Sequence, residues 1–165
     1  MTNNDLLIRL RYALDIKDID MVEIFKLGGV DVTKEQVQNM LSKTEDEYDD
    51  EIEDENSVTC NNTMFECFLN GFITFKRGRQ DSNSGQPIRP ELSKESPNNL
   101  LLKKLKIALT LTSEDIIDIL DVAGVTVSKG EIGALLRKKG HAKYKECGDK
   151  YARNFLKGLT LKYRT

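Results

Sequence analysis

Tryptophan is absent from the 165 residues, histidine occurs once, at His141, and cysteine and proline occur three times each. Cys60, Cys67 and Cys147 contain no Cys-x-x-Cys pair and cannot build a disulfide framework. A structural zinc site would need all three together with His141, so no metal is expected. No segment approaches the roughly 18 apolar residues of a membrane span, and Met1-Thr2-Asn3-Asn4-Asp5 lacks the basic and apolar regions of a signal peptide. The expectation is a cytoplasmic protein with no membrane partner. Also missing are a glycine-rich phosphate loop, a nucleophile elbow and metal-spaced His, Asp or Glu. No catalytic residue and no cofactor is therefore assigned, and an enzyme is the less favoured class.

What is present is a repetition. Residues 3 to 43 align without a gap on residues 98 to 138, at a constant offset of 95, with 15 identities in 41 pairs. The match resumes after a length change, from Cys60 to Gly71 over Cys147 to Gly158, at an offset of 87. Two copies of one unit predict an all-α protein in which two tandem four-helix units pack with pseudo-twofold symmetry. A unit of about 70 residues buries a marginal core by itself, so the copies are expected to share one. The organisation read from the sequence is a first repeat over 1–76 with an acidic loop at 45–57, a linker over 77–97, and a second repeat over 98–165.

The pattern places helices near Asn4–Leu14 and Asn99–Leu109, where leucines recur at helical spacing behind an asparagine positioned to cap the helix. A second pair, Asp18–Leu27 and Ser113–Ala123, stops at glycines. The third opens on Thr33-x-x-Gln36 and Ser128-x-x-Glu131, a capping box in each copy. The fourth, Thr63–Lys76 and Asp149–Tyr163, holds a mid-helix glycine in both copies, Gly71 and Gly158. That choice costs on the order of 1 kcal/mol against alanine and implies a crossing too close for a side chain. All three prolines lie in the linker, and nine of the eleven residues from Glu45 to Glu55 are acidic, as in a solvated loop.

The doubled Asn-Asn, the Leu-x-x-Ala-Leu run, the Gly-Val-x-Val-[Ser/Thr]-Lys step, Tyr144-x-x-Cys147 and Phe-Leu-x-Gly resemble the YehS-like bacterial proteins, in which two copies of a helical domain of unknown function fill the chain. The resemblance implies that fold and a bacterial cytosolic setting, and it carries no catalytic residues. Copy one departs from it, with eleven residues between Tyr48 and Cys60.

The net charge of −2 conceals a balance of −11 over residues 1–75 and +7 over 98–165. Opposed halves either attract each other or offer one charged face to a partner. Lys34 and Lys129 occupy the first helical position behind Thr33 and Ser128, against the helix dipole. They are read either as exposed lysines or as an anion site with those hydroxyls. Arg137, Lys138, Lys139, His141, Lys143 and Lys145 form the densest basic stretch, at the end of a segment with the outline of a helix-turn-helix. Cys60 and Cys147 read as buried packing residues in place of nucleophiles. The functional expectation is a non-enzymatic binding or regulatory module whose partner is unknown, a protein or a nucleic acid. The alternatives are DNA or RNA binding through the basic second repeat, and a small ligand or anion in the cleft between repeats.

Overall fold

The computed structural model describes residues 2–41, 59–78, 95–137 and 140–163. The acidic run, Lys138, Lys139 and most of the linker lie outside them. Among the described residues there are eight helices and no strand: α1 (Asn3–Leu14), α2 (Asp18–Leu27), α3 (Lys34–Met40) and α4 (Asn62–Arg77), then α5 (Pro97–Ala108), α6 (Ser113–Val122), α7 (Lys129–Leu136) and α8 (Asp149–Tyr163). The protein is all-α, with two tandem four-helix units.

Apolar residues at helical spacing bury one stripe of each helix, and the stripes of both units merge into one core. Copy one fills its share with Phe25, Phe65, Phe68 and Phe72, whereas copy two has Leu120, Ala152, Phe155 and Leu159 at the same positions. Within each unit the second helix packs on the third and fourth. Between units, α4 packs on α5 and α1 packs on α8. Exchanging the copies turns the first of these junctions into the second, as a pseudo-twofold requires. Each copy thus completes the core of the other.

The mid-helix glycines sit where expected, at close crossings. A Cβ built on Gly71 would lie 1.9 Å from the Ile24 carbonyl oxygen, and one on Gly158 would lie 2.1 Å from that of Ile119. The α2–α4 and α6–α8 contacts are therefore backbone to backbone. Ala13 and Ala108, small in both copies, are buried.

Three local readings are revised by the structure. Asn4 and Asn99 do not cap their helices. Thr2 caps α1 in a reciprocal box with Asp5, while α5 starts on Pro97 behind Ser96 without a side-chain cap. The box at Thr33 is complete. That at Ser128 has one arm only, because Glu131 accepts from the serine hydroxyl at 3.2 Å in place of the cap amide. A third full box, Thr112 with Asp115, opens α6. Hydrogen bonds to the backbone and side chain of Thr112 hold the Asp115 carboxyl below its usual range.

The first helix of each unit closes without glycine. Asp15 and Thr110, equivalent positions, have φ of 52° and 55°, and the next amides, Ile16 and Leu111, bond back to the carbonyls of Arg11 and Lys106. This helix-ending motif normally takes glycine at the left-handed position, and a β-branched residue is strained there. Thr110→Gly is expected to raise stability by about 0.5 to 1 kcal/mol, the relief of strain exceeding the entropy that glycine adds to the unfolded chain. Urea denaturation measures it, and a loss of stability would contradict the strain.

Candidate functional site

Among the polar residues that the two copies hold in common, the Asn-Asn pair converges with the shared cysteine on one place in each unit. Asn3 donates to the Cys60 carbonyl at 3.1 Å and Asn98 to that of Cys147 at 3.1 Å. The next residue takes the other backbone group of the same cysteine. Cys60 N–H donates to Asn4 Oδ1 at 2.9 Å, and Cys147 N–H to Asn99 Oδ1 at 2.8 Å. The Asn-Asn pair thus grips the backbone N–H and C=O of one cysteine, fixing the segment that precedes the fourth helix. Asn3 and Asn98 also reach the first residue of that helix, Asn62 or Asp149.

The amide nitrogen of the second asparagine extends the grip to the end of the third helix. Asn4 donates to the Met40 carbonyl and Asn99 to that of Leu135, each at 3.0 Å, and Asn99 donates also to the Lys145 carbonyl at 3.0 Å. Met40 and Leu135 are equivalent positions. One asparagine therefore staples together the two ends of the segment between the third and fourth helices. In copy one that segment contains the acidic run, and in copy two it is the basic stretch from Arg137 to Glu146. The same frame carries loops of opposite charge.

The cysteines serve this frame as buried side chains. Cys60 and Cys147 are 3% and 2% exposed, and burial pushes each thiol up to about 12. A thiol in that state is not a nucleophile at neutral pH. Among the described residues no group of three or more His, Cys, Asp or Glu is arranged to hold a metal ion. None of the described helices is long and apolar enough to cross a membrane.

Arg137, His141, Lys143 and Lys145 are all exposed in the stapled loop. The Lys145 amide donates to the Ala134 carbonyl at 3.1 Å, and the Tyr144 amide to that of His141 at 3.0 Å. His141 Nδ1 accepts from the Lys143 amide at 3.1 Å, and Lys145 Nζ stands 5.8 Å from the Tyr151 ring centroid. These bonds fold the loop back on α7, with Arg137, Lys143 and Lys145 outward. Beyond the loop, α8 continues the exposed charge with Lys150, Arg153 and Lys157.

The other sequence-derived group behaves differently. Thr33, Lys34, Ser128 and Lys129 are exposed at the starts of α3 and α7. Both hydroxyls are already bonded to first-turn amides, from Gln36 and Glu131. Lys129 Nζ lies 3.3 Å from Glu114, on the neighbouring helix α6. That carboxyl is held below its usual range by its own backbone amide and then by Lys129. The helix-turn-helix outline is also altered. Six residues separate α6 from α7, and α7 shows to solvent Lys129, Gly130 and Glu131, a poor set for reading base edges.

Comparison with known proteins agrees with the doubled architecture. The family model described as "Protein of unknown function (DUF1456)" matches twice, over residues 3–78 and 98–165. The uncharacterized protein YehS of Escherichia coli (strain K12) is 40% identical over 159 residues, covering 96% of this chain and 94% of its own length. No solved structure matches the chain.

Proposed function

The chain belongs to the DUF1456 family of proteins of unknown function, and from that premise we propose that it is a cytosolic, non-enzymatic binding module whose second repeat offers its basic loop to an anionic partner. The observation that supports this reading best is the staple. Asn99 is fully buried, and its three hydrogen bonds join both ends of a loop that exposes Arg137, Lys143 and Lys145. Such an anchored loop has less conformational freedom to lose on binding than an unanchored one, which favours affinity. A concentration of positive charge on an otherwise slightly acidic protein attracts an anionic partner selectively. The working unit is both repeats together, because α5 and α8 of the basic repeat rest on helices of the acidic one.

Fluorescence anisotropy with a labelled 20-nucleotide single strand tests the loop. The parent should bind at 50 mM salt and lose affinity steeply towards 200 mM, as counterion release requires. Replacing Arg137, Lys143 and Lys145 together by Gln should weaken binding at least about tenfold and flatten the slope of log K against log salt by about 2, three phosphates at about 0.7 each. Unchanged affinity and slope would remove the loop from the binding surface. Failure of the parent to bind any polyanion would remove the reading.

A further inference from the structure

The pseudo-twofold makes the two junctions between repeats comparable position by position, and they differ in charge. At the α4–α5 junction Glu66 is buried, and Glu95 is buried against Lys103 with both carboxylate oxygens 2.8 Å from Nζ. Lys104 is half-buried there. Burial lowers its pKa, while Glu66 and then Glu95 favour its charged form. This junction contains charges of both signs, which compensate each other.

At the α1–α8 junction the equivalents of Lys104 and Glu66 are Arg9 and Arg153, and the equivalent of Asn70 is Lys157. All three are exposed. Lys150, Arg153 and Lys157 recur at spacings of three and four, so they share one face of α8. The acidic residue at that end of the helix, Asp149, bonds to Asn98 at 2.9 Å. An aromatic ring accompanies the charge. Tyr12 is 57% exposed on α1, one turn from Arg9. Its equivalent, Ile107, accepts a hydrogen bond across the α4–α5 junction from Arg77, in the last turn of α4, at 3.2 Å. α8, which packs on α1, ends at Tyr163, 44% exposed.

We infer that the α1–α8 junction is a binding surface for single-stranded nucleic acid, with Arg9, Arg153 and Lys157 following the phosphates and Tyr12 presenting its ring to a base. The inference rests on the reading of the basic loop as the partner-facing surface. It names the partner and carries the surface from Lys145 through Lys150 along α8 to the first repeat. Charge alone would serve any polyanion, including an acidic protein. An exposed ring one turn from an exposed cation suits an unpaired base, which stacks on aromatic faces whatever its identity. The paired bases of a duplex cannot reach such a ring, and α7 offers no base-reading side chains to take their place.

The test uses the full chain, three probes and two sets of changes outside the loop. The probes are a labelled (dT)20 strand, the same strand as a duplex, and heparin, a polyanion without bases. The single strand should bind tightest. Arg9→Gln with Arg153→Gln should reduce its affinity at least about fivefold and flatten the salt slope by about 1.4, two phosphates at about 0.7 each. Tyr12→Ala should cost about tenfold on (dT)20 and leave heparin unchanged, whereas Tyr12→Phe should restore binding. These side chains are exposed, and an unchanged thermal melt confirms the fold of each variant. If the loop variant loses binding while the Arg9, Arg153 and Tyr12 variants keep it, the junction is not the surface and the reading of the loop stands. If heparin and (dT)20 respond alike to Tyr12→Ala, the partner is not a nucleic acid. If no probe binds the parent, both the inference and the reading it rests on fail.

Discussion

Gly158→Ala is expected to destabilise the protein by about 3 kcal/mol, although the same change in an open helix stabilises by roughly 1 kcal/mol. The added Cβ would lie 2.1 Å from the Ile119 carbonyl oxygen and 2.7 Å from Ile119 Cγ2. The first of these atoms is backbone, so relief requires α6 and α8 to separate. Separation withdraws Ile116, Ile119, Phe155 and Leu159 from one another and weakens a contact that a close-packed interior cannot recover elsewhere. Gly71→Ala should behave alike, against the Ile24 oxygen at 1.9 Å and the Gly28 amide nitrogen at 2.7 Å. Gly133→Ala supplies the control. Nothing lies within 4 Å of a Cβ at that position in α7, so it should gain up to about 1 kcal/mol. Urea denaturation of the three variants measures opposite signs if close crossings select the glycines. A gain at Gly158 would show that the α6–α8 distance is not what holds the residue.

The duplication makes much of this legible in the sequence alone. Gly71 and Gly158 could be read as close crossings because a costly residue recurred at one position. The helix starts at Thr33 and Ser128 could be read because capping is local chemistry. Asn4 and Asn99 show where such reading stops. Their identity in both copies marked them as important, and the local rule for asparagine near a helix start assigned them to capping. Their partners are Met40, Cys60, Leu135, Lys145 and Cys147, from 36 to 56 residues away, and no local rule reaches that far. The left-handed Asp15 and Thr110 were hidden for the opposite reason, since glycine is the usual signal and neither residue carries it. The contrast between junctions was legible only in part. Arg9, Arg153 and Lys157 are plain in the sequence, but that Arg9 and Arg153 stand where Lys104 and Glu66 face each other depends on how the copies pack. For the candidate site, the loop cations were found as a charge cluster, while the asparagine that organises them and the tyrosine on α1 were not.

Asn99→Ala should therefore cost about 3 to 5 kcal/mol, far beyond the loss of a helix cap. Three backbone groups would lose their partner at once, the Cys147 amide and the carbonyls of Leu135 and Lys145, next to a side chain with no exposed surface. Each buried group left unsatisfied costs about 1 to 3 kcal/mol, and water entering the vacated space returns part of it. Asn99→Asp separates the contributions. A carboxylate still accepts from the Cys147 amide, but it cannot donate and would face two carbonyl oxygens, so it should be at least as damaging as alanine at neutral pH. Amide exchange gives the local readout. Protection of Cys147 and Lys145, whose N–H groups bond to Asn99 and Ala134, should fall in both variants before the helices of copy one are affected. If the loop is the binding surface, its affinity for a single strand should fall in the same variants with every lysine and arginine in place. Loss of stability with protection of Cys147 intact would show that the asparagine supports the core by some route other than the staple.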